Sequence, residues 1–434
     1  MGYQAGLDYL YSLQRFGIKL GLDNTARLLE RLGNPQDQLR IVHIAGTNGK
    51  GSTAAALASI LRQGGLRVGL YTSPHLHSFT ERIQVDGLPV DEATVAELIA
   101  EIRPVAEQLG TTFFEFATAL ALLCFQRSAT EWVVLEVGMG GRLDATNVVT
   151  PELVLITPIS LDHALHLGTS LAAVAAEKAG ILKPRVPVVS ARQPAAAQAV
   201  LGERALALQA PLVRGGEEFR WQATADGFRY RGLDLVLEGL RPGLAGTHQL
   251  ENLSLALAAA ELLKRQGVPL SAAAMRRGIA AVRWPGRLEW LGDRVLLDGA
   301  HNPAGATVLA DYLTENRLQG IHWIAGLKAD KDWRRILDPL LPHVAQLYAC
   351  KPPVDAAVAP RQLAGHARAL GVAAQVFEHP QQALSAALAG SEPDGMILVA
   401  GSLFLVAAIR AQLLCAGAQQ SASQADFPSG PAAC

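Results

Sequence analysis

The chain has 434 residues, of which 50% are hydrophobic and 18% charged; that suffices for large buried cores and argues against a disordered polymer. A formal net charge of -1 provides no bulk field for nucleic acid or an anionic membrane, and 6% aromatic content offers no base-stacking platform. The length predicts two domains.

Residues 1–20 lack a basic stretch followed by an apolar run, so no signal peptide is expected there. Two short helical patterns open the chain, the second over 24–32 and stopped by Gly33-Asn34-Pro35. An apolar run at 41–45 leads into glycines and a long Ala/Leu helix over 52–62, the strand, turn and helix that begin an α/β unit. Further strands are predicted at 67–71, 132–137, 153–157 and 186–190, with helices between. Continuous apolar strands alternating with helices imply a mostly parallel sheet covered on both faces. Residues 211–240 carry short alternating segments between glycines and read as a small β-excursion. A helix over 248–266 follows, stopped by Gly267. The α/β pattern restarts near 285, with strands at 294–297, 321–325, 347–350 and 396–400. From Gly417 onward the composition predicts a disordered tail.

Cys124, Cys350, Cys415 and Cys434 share no CxxC spacing, which fits neither a disulfide framework nor a zinc site. A reducing, cytoplasmic setting is expected. The apolar runs are strand-length and too short to span a bilayer, so neither a membrane nor nucleic acid is an expected partner.

The strongest local signal is Gly46-Thr47-Asn48-Gly49-Lys50-Gly51-Ser52-Thr53, between a strand and a helix. Glycines let backbone amides curl round phosphate oxygens, the helix N-terminus adds positive potential, a lysine reaches the terminal phosphates, and a nearby hydroxyl can hold Mg²⁺. The loop is shorter than the usual G-x-x-x-x-G-K-[ST] pattern, with Ile44 where the first glycine would fall and Gly51 after the lysine. Glu136 ends an apolar strand before a glycine-rich turn, either as a Mg²⁺ ligand in the sheet's crevice or as a loop cap. His163 follows another strand, where a lone histidine is as readily structural. Lys178 lies on an alanine-rich helix, a position that by itself reads as a solvated face. Asp298 and His301 stand at a turn that can hold ribose and phosphate, or that simply starts a helix with Pro303 near its first position.

Taken together, the motifs resemble the folylpolyglutamate synthases and dihydrofolate synthases of the Mur ligase superfamily. The matching stretches are HIAGTNGKGST, YTSPHL with ERI, TTFFEFATALAL and EVGMGGRLDATNVV, then LDHALHLG, AEKAGILK, GTHQLENLSLA, PGRLE and DGAHNP, in family order. The resemblance implies an ATP-binding domain over 1–285, a glutamate-ligase α/β domain over 286–416 and the tail over 417–434. It implies an ATP-dependent amide ligase adding L-glutamate to dihydropteroate, reduced folates or both, a bifunctional synthase working as a monomer on small-molecule substrates. ATP and two Mg²⁺ ions are the implied cofactors. Gly46, Thr47, Asn48, Gly49, Lys50, Gly51 and Ser52 would bind ATP with Asn252, Arg287, Asp298 and His301. Ser52, Ser73, Glu136 and His163 would hold metal, and Lys178 matches a lysine that carbon dioxide can carbamylate. Lys50, Lys178 and His163 are the implied catalytic groups, and Phe113, Phe114 and Arg82 the folate-side candidates. The aromatic residues there can stack on a flat ring or serve as helix core. Pro158 and Ser160 stand where Asn and Gly are frequent in the family, and Ala164 and His166 where a hydroxyl and an acid are frequent.

Two rival readings are a related ligase extending a cell-wall precursor and an NTPase switch that forms no bond. TSPHL with ERI and the short stretch before the phosphate loop oppose the first. The second α/β domain carrying DGAHNP opposes the second.

Overall fold

The computed structural model describes residues 2–17 and 21–425. The chain divides into two units, Met1–Trp284 and Pro285–Cys434.

In the first unit the strands are β1 (Ile41–Ala45), β2 (Val68–Tyr71), β3 (Ile83–Val85), β4 (Leu88–Pro89), β5 (Trp132–Glu136), β6 (Leu153–Ile156), β7 (Val188–Ser190) and β8 (Leu212–Arg214). They form one sheet in the order β4-β3-β2-β5-β1-β6-β7-β8. The pairings from β2 through β8 are parallel, and β3 and β4 add an antiparallel edge. Every residue of β1, β2, β5 and β6 is buried, because helices cover both faces and no side of these strands needs polar residues. The order sets β1 between β5 and β6, with β2 beyond β5. The turns after these four strands therefore lie side by side at the carboxyl edge of the sheet, where such sheets bind ligands.

Local chemistry fixes the helices around that edge. The helix Lys50–Gln63 starts at Gly49, whose φ of 84° a residue with a side chain rarely adopts. The helix Phe113–Arg127 starts with a reciprocal capping box between Thr112 and Glu115, which aims its first turn at the same edge.

The β-excursion is a separate antiparallel sheet of β9 (Arg220–Thr224), β10 (Gly227–Arg231) and β11 (Val236–Leu240). Residues 212–214 belong instead to the main sheet as β8, parallel to β7. Glu261, buried on the helix Thr247–Arg265, ties the excursion down. It accepts hydrogen bonds from the Tyr230 hydroxyl at 2.5 Å and from the amides of Leu233, Asp234 and Leu235 at 2.8–3.1 Å. Removing the carboxylate strands four donors, the buried Tyr230 hydroxyl and three half-buried amides. Glu261→Ala is expected to lower unfolding free energy by about 4 kcal/mol, read from urea midpoints. An unchanged midpoint would dismiss this tie as a source of stability.

The second unit holds β12 (Glu289–Leu291), β13 (Val295–Asp298), β14 (Ile321–Ala325), β15 (Val344–Cys350), β16 (Ala373–Phe377) and β17 (Ile397–Ala400), in the order β12-β13-β17-β14-β15-β16. All pairings except β12 with β13 are parallel. Arg410 grips both carboxylate oxygens of Glu289 at 2.9–3.0 Å, which fixes the last helix against β12. That helix, Leu403–Ala425, continues past Gly417 into the predicted disordered tail, since its alanines and glutamines are good helix formers. The rest of that tail, residues 426–434 with Cys434, lies outside the described residues.

Candidate active site

The phosphate loop is shaped by what crowds its glycines. A Cβ on Gly46 would collide with the Thr157 hydroxyl, and one on Gly49 would collide with the Asn252 amide. Asn252, itself buried, donates to Gln249 at 2.9 Å and so presses on the apex of the loop. The amides of Thr47 and Asn48 donate to the Pro158 carbonyl at 3.0 and 3.2 Å. Thr47 Oγ1 donates to the Ser160 carbonyl at 2.9 Å and accepts from its amide at 3.0 Å, while the Asn48 side chain reaches Ser160 Oγ at 3.3 Å. Pro158 and Ser160 thus brace the loop. Those two amides are committed to the protein, so the donors left for a phosphate are the first-turn amides of the helix Lys50–Gln63, which have no intrahelical acceptor.

Two lysines converge on one carbonyl. Lys50 Nζ donates to Gly46 and Thr47 carbonyls at 3.3 Å each. Lys178 Nζ donates to the Gly46 carbonyl at 2.8 Å. Lys178 is only 3% exposed, which overturns the solvated-face reading of its helix. Burial, helped by the neighbouring Lys50 charge, pushes its pKa down to about 7.

Glu136 ends β5, buried, and accepts the Ser73 amide at 3.0 Å. The structure therefore brings Ser73 and Glu136 together. Ser52 Oγ, also buried, has no hydrogen-bond partner. His163 has a left-handed backbone, with φ of 51°, and its half-exposed ring keeps company with Asp162, whose Oδ2 is 4.0 Å from Nε2. Among the described residues no group of three His, Cys, Asp or Glu side chains is assembled for a metal. An orphaned hydroxyl and a buried carboxylate beside a phosphate loop nevertheless suit Mg²⁺, which usually keeps several waters and shares phosphate oxygens.

Beside this corner lies a cavity of about 320 Å³, lined in part by Ser73, Arg82, Phe113, Phe114, Gly138 and Asp144. Phe113 stacks on Tyr11 at 5.8 Å between centroids, and Arg82 lies 5.3 Å from its ring. Arg82 is buried and donates to His75 Nδ1 at 2.8 Å. Phe114 presses on Gly138, whose missing Cβ makes room for it. Phe116 is core, packed against Tyr9. The first helical turn thus divides its aromatics between cavity and interior.

In the second unit, Asp298 is buried and accepts the amides of Leu288 and Ala300, each at 2.9 Å. His301 Nδ1 donates to the Gly299 carbonyl at 2.8 Å. Arg287 packs where a Gly299 Cβ would stand and donates to the Gly286 carbonyl at 3.3 Å. Asn302 caps the helix Pro303–Glu315, with Pro303 as its first residue. The capped start and the turn are therefore both present.

Residues 44–260 match the Mur ligase middle domain and residues 286–403 the Mur ligase glutamate ligase domain. The folylpolyglutamate synthase of Lacticaseibacillus casei is 36% identical over 95% of this chain and 99% of its own length. The chain belongs to the folylpolyglutamate synthase and dihydrofolate synthase family. E. coli FolC in complex with DHPP and ADP has a TM-score of 0.88 at 32% identity, over 96% of this chain and 99% of that one. The bifunctional folylpolyglutamate synthase/dihydrofolate synthase of Yersinia pestis, complexed with AMPPNP and Mn ion, has a TM-score of 0.86 at 33% identity, over 95% and 98%.

Asp144 is the site residue that sequence reasoning missed. It lines the cavity, buried, and accepts the Met139 amide at 2.8 Å and the Thr146 amide and hydroxyl at 3.0 and 2.5 Å. Burial pushes its pKa up, against those donors. Its place in GGRLDATN was visible in the sequence; its aim into a cavity was not.

Proposed function

We propose that this chain is an ATP-dependent amide ligase joining L-glutamate to dihydropteroate, to reduced folates, or to both. The observation that carries this reading is the sharing of Ser73. Its amide is bound by Glu136 beside the phosphate loop, and its residue lines the aromatic cavity. A flat ring between Phe113, Phe114 and Arg82, with Asp144 as a hydrogen-bond acceptor, matches a pterin, which has a planar face and an edge of N–H donors.

A carboxylate is a poor electrophile. Its oxygen attacks the γ-phosphate of ATP, the bond to the β-phosphate oxygen breaks, and an acyl phosphate and ADP result. The glutamate amine then attacks the carbonyl carbon, phosphate leaves, and the amine proton passes to solvent or a base. Lys50 and the first-turn amides of its helix hold the phosphoryl oxygens, where negative charge develops. Ser52, Ser73, Glu136 and His163 would hold Mg²⁺, which when bound neutralises phosphate charge. Asn252, Arg287, Asp298 and His301 are proposed as nucleotide contacts, and carbamylated Lys178 as a support for the phosphate.

We place the enzyme in the cytoplasm as a monomer; among the described residues no helix is long and apolar enough to cross a membrane.

The test supplies ATP, Mg²⁺ and L-glutamate with dihydropteroate or tetrahydrofolate separately, and reads products by mass spectrometry. A single-glutamate gain on both establishes a bifunctional synthase, and a gain on one sets the step. Phosphate release without gain on either would remove the folate assignment.

A further inference from the structure

Behind Asp144 runs a buried chain of hydrogen bonds that reaches the central strand. Thr146 Oγ1 stands 2.5 Å from Asp144 Oδ1 and 2.9 Å from Nε2 of His43, a residue of β1. Both His43 and Thr146 are fully buried. A hydroxyl has one proton to give. The carboxylate takes it at the shorter contact, so Thr146 must accept from His43, and the imidazole proton sits on Nε2. His43 Nδ1 is then a bare acceptor, and it has no hydrogen-bond partner. An orphaned polar atom in the middle of a core strand needs an explanation, because an apolar side chain there would leave nothing unsatisfied.

We infer that His43 and Thr146 are positioning residues that hold Asp144 in the orientation and acceptor state required to bind the pterin edge. His43 donates to Thr146, which leaves the hydroxyl only one direction in which to donate, and that direction is Oδ1. The Met139 amide fixes the opposite oxygen, so both ends of the carboxylate are clamped. Burial holds His43 neutral, with a pKa of about 3, so the direction of the chain does not reverse as pH changes through the working range. The inference rests on the assignment of the cavity to the pterin.

The experiment compares KM for dihydropteroate, KM for ATP and kcat in Asp144→Asn, Thr146→Val, Thr146→Ser, His43→Leu and the His43→Leu/Thr146→Val pair. Asp144→Asn tests the cavity reading first: an unchanged dihydropteroate KM overturns that reading and this inference with it. If Asp144→Asn raises that KM, Thr146→Val is expected to raise it on the order of 10-fold, with KM for ATP unmoved. Thr146→Ser, which keeps the hydroxyl, is expected to stay close to the parent. The double variant is expected to match Thr146→Val alone, because the two residues act through one chain. A parent-like Thr146→Val, equal damage from Ser and Val, or multiplied effects in the double variant would overturn the relay while leaving the cavity reading intact. Circular dichroism of Thr146→Val, nearly identical in shape to the parent, checks that the fold is kept.

Discussion

Replacing Lys50 or Glu136 with alanine is expected to lower kcat/KM for ligation by about 1,000-fold while the fold survives, a loss of about 4 kcal/mol of transition-state stabilisation. The size of the effect follows from position. Lys50 is the cation at the N-terminus of the helix that follows β1, and Glu136 is the buried acid that ends the neighbouring strand β5. Among the described residues Lys50 makes two long hydrogen bonds, 3.3 Å each, to carbonyls of its own loop. Losing them removes little native stability. Glu136→Ala leaves the Ser73 amide without its 3.0 Å acceptor, a cost of about 1–3 kcal/mol that a two-domain protein of this size tolerates. Phosphate release measured beside urea unfolding separates the two quantities. Near-normal turnover in either variant would refute the assignment of the site.

Much of this architecture could be read from residue order, for a reason that also explains what could not. The strands Ile41–Ala45 and Ile321–Ala325 have the bounds predicted for them, because a strand largely buried on both faces is a mainly apolar run, interrupted here by His43 and His322, and a glycine follows each. The location of Glu136 at a carboxyl edge follows from the same rule, since the polar residue that breaks such a run sits where the strand leaves the sheet. Contacts across sequence have no such signature. His43 and Thr146 meet from 103 positions apart, and Lys178 meets the Gly46 carbonyl from 132. Neither pairing leaves a period or a composition bias. Lys178 looked solvated for that reason: alanines around a lysine describe its helix, and only the packing of that helix against the phosphate loop determines its depth. The division of labour between Phe113 and Phe114 on the cavity and Phe116 in the core likewise depends on which way one helical turn faces.

Lys178→Met is expected to stabilise the fold and to cripple the enzyme. The folded-state pKa of Lys178 is about 7, against an ordinary value of 10.5. Between those values the unfolded chain holds a proton that the folded chain has released, so stability rises with pH from about 7 to 10.5. Below 7 both states are charged, and the folded one carries a buried cation at full cost. Across the interval this is worth about 5 kcal/mol. Methionine fills a similar volume without the charge. In protein freed of carbon dioxide, where Lys178 is unmodified, the variant at pH 6.5 should gain about 3 kcal/mol in urea unfolding once the lost bond to Gly46 is set against the relief, and the gap should close towards pH 10.5. The same low pKa makes the amine nucleophilic near neutrality. Its lone pair can attack carbon dioxide; an N–C bond forms, an N–H proton leaves to water, and a carbamate anion replaces the cation. Next to Lys50 that exchange turns a repulsion into an attraction, which favours the modified state. Carbon-13 NMR with labelled bicarbonate should show a carbamate carbon in the parent and none in Lys178→Met, and stripping carbon dioxide should slow the parent alone. A Lys178→Met enzyme that turns over normally would show that the buried lysine serves the fold's geometry and not the ligation.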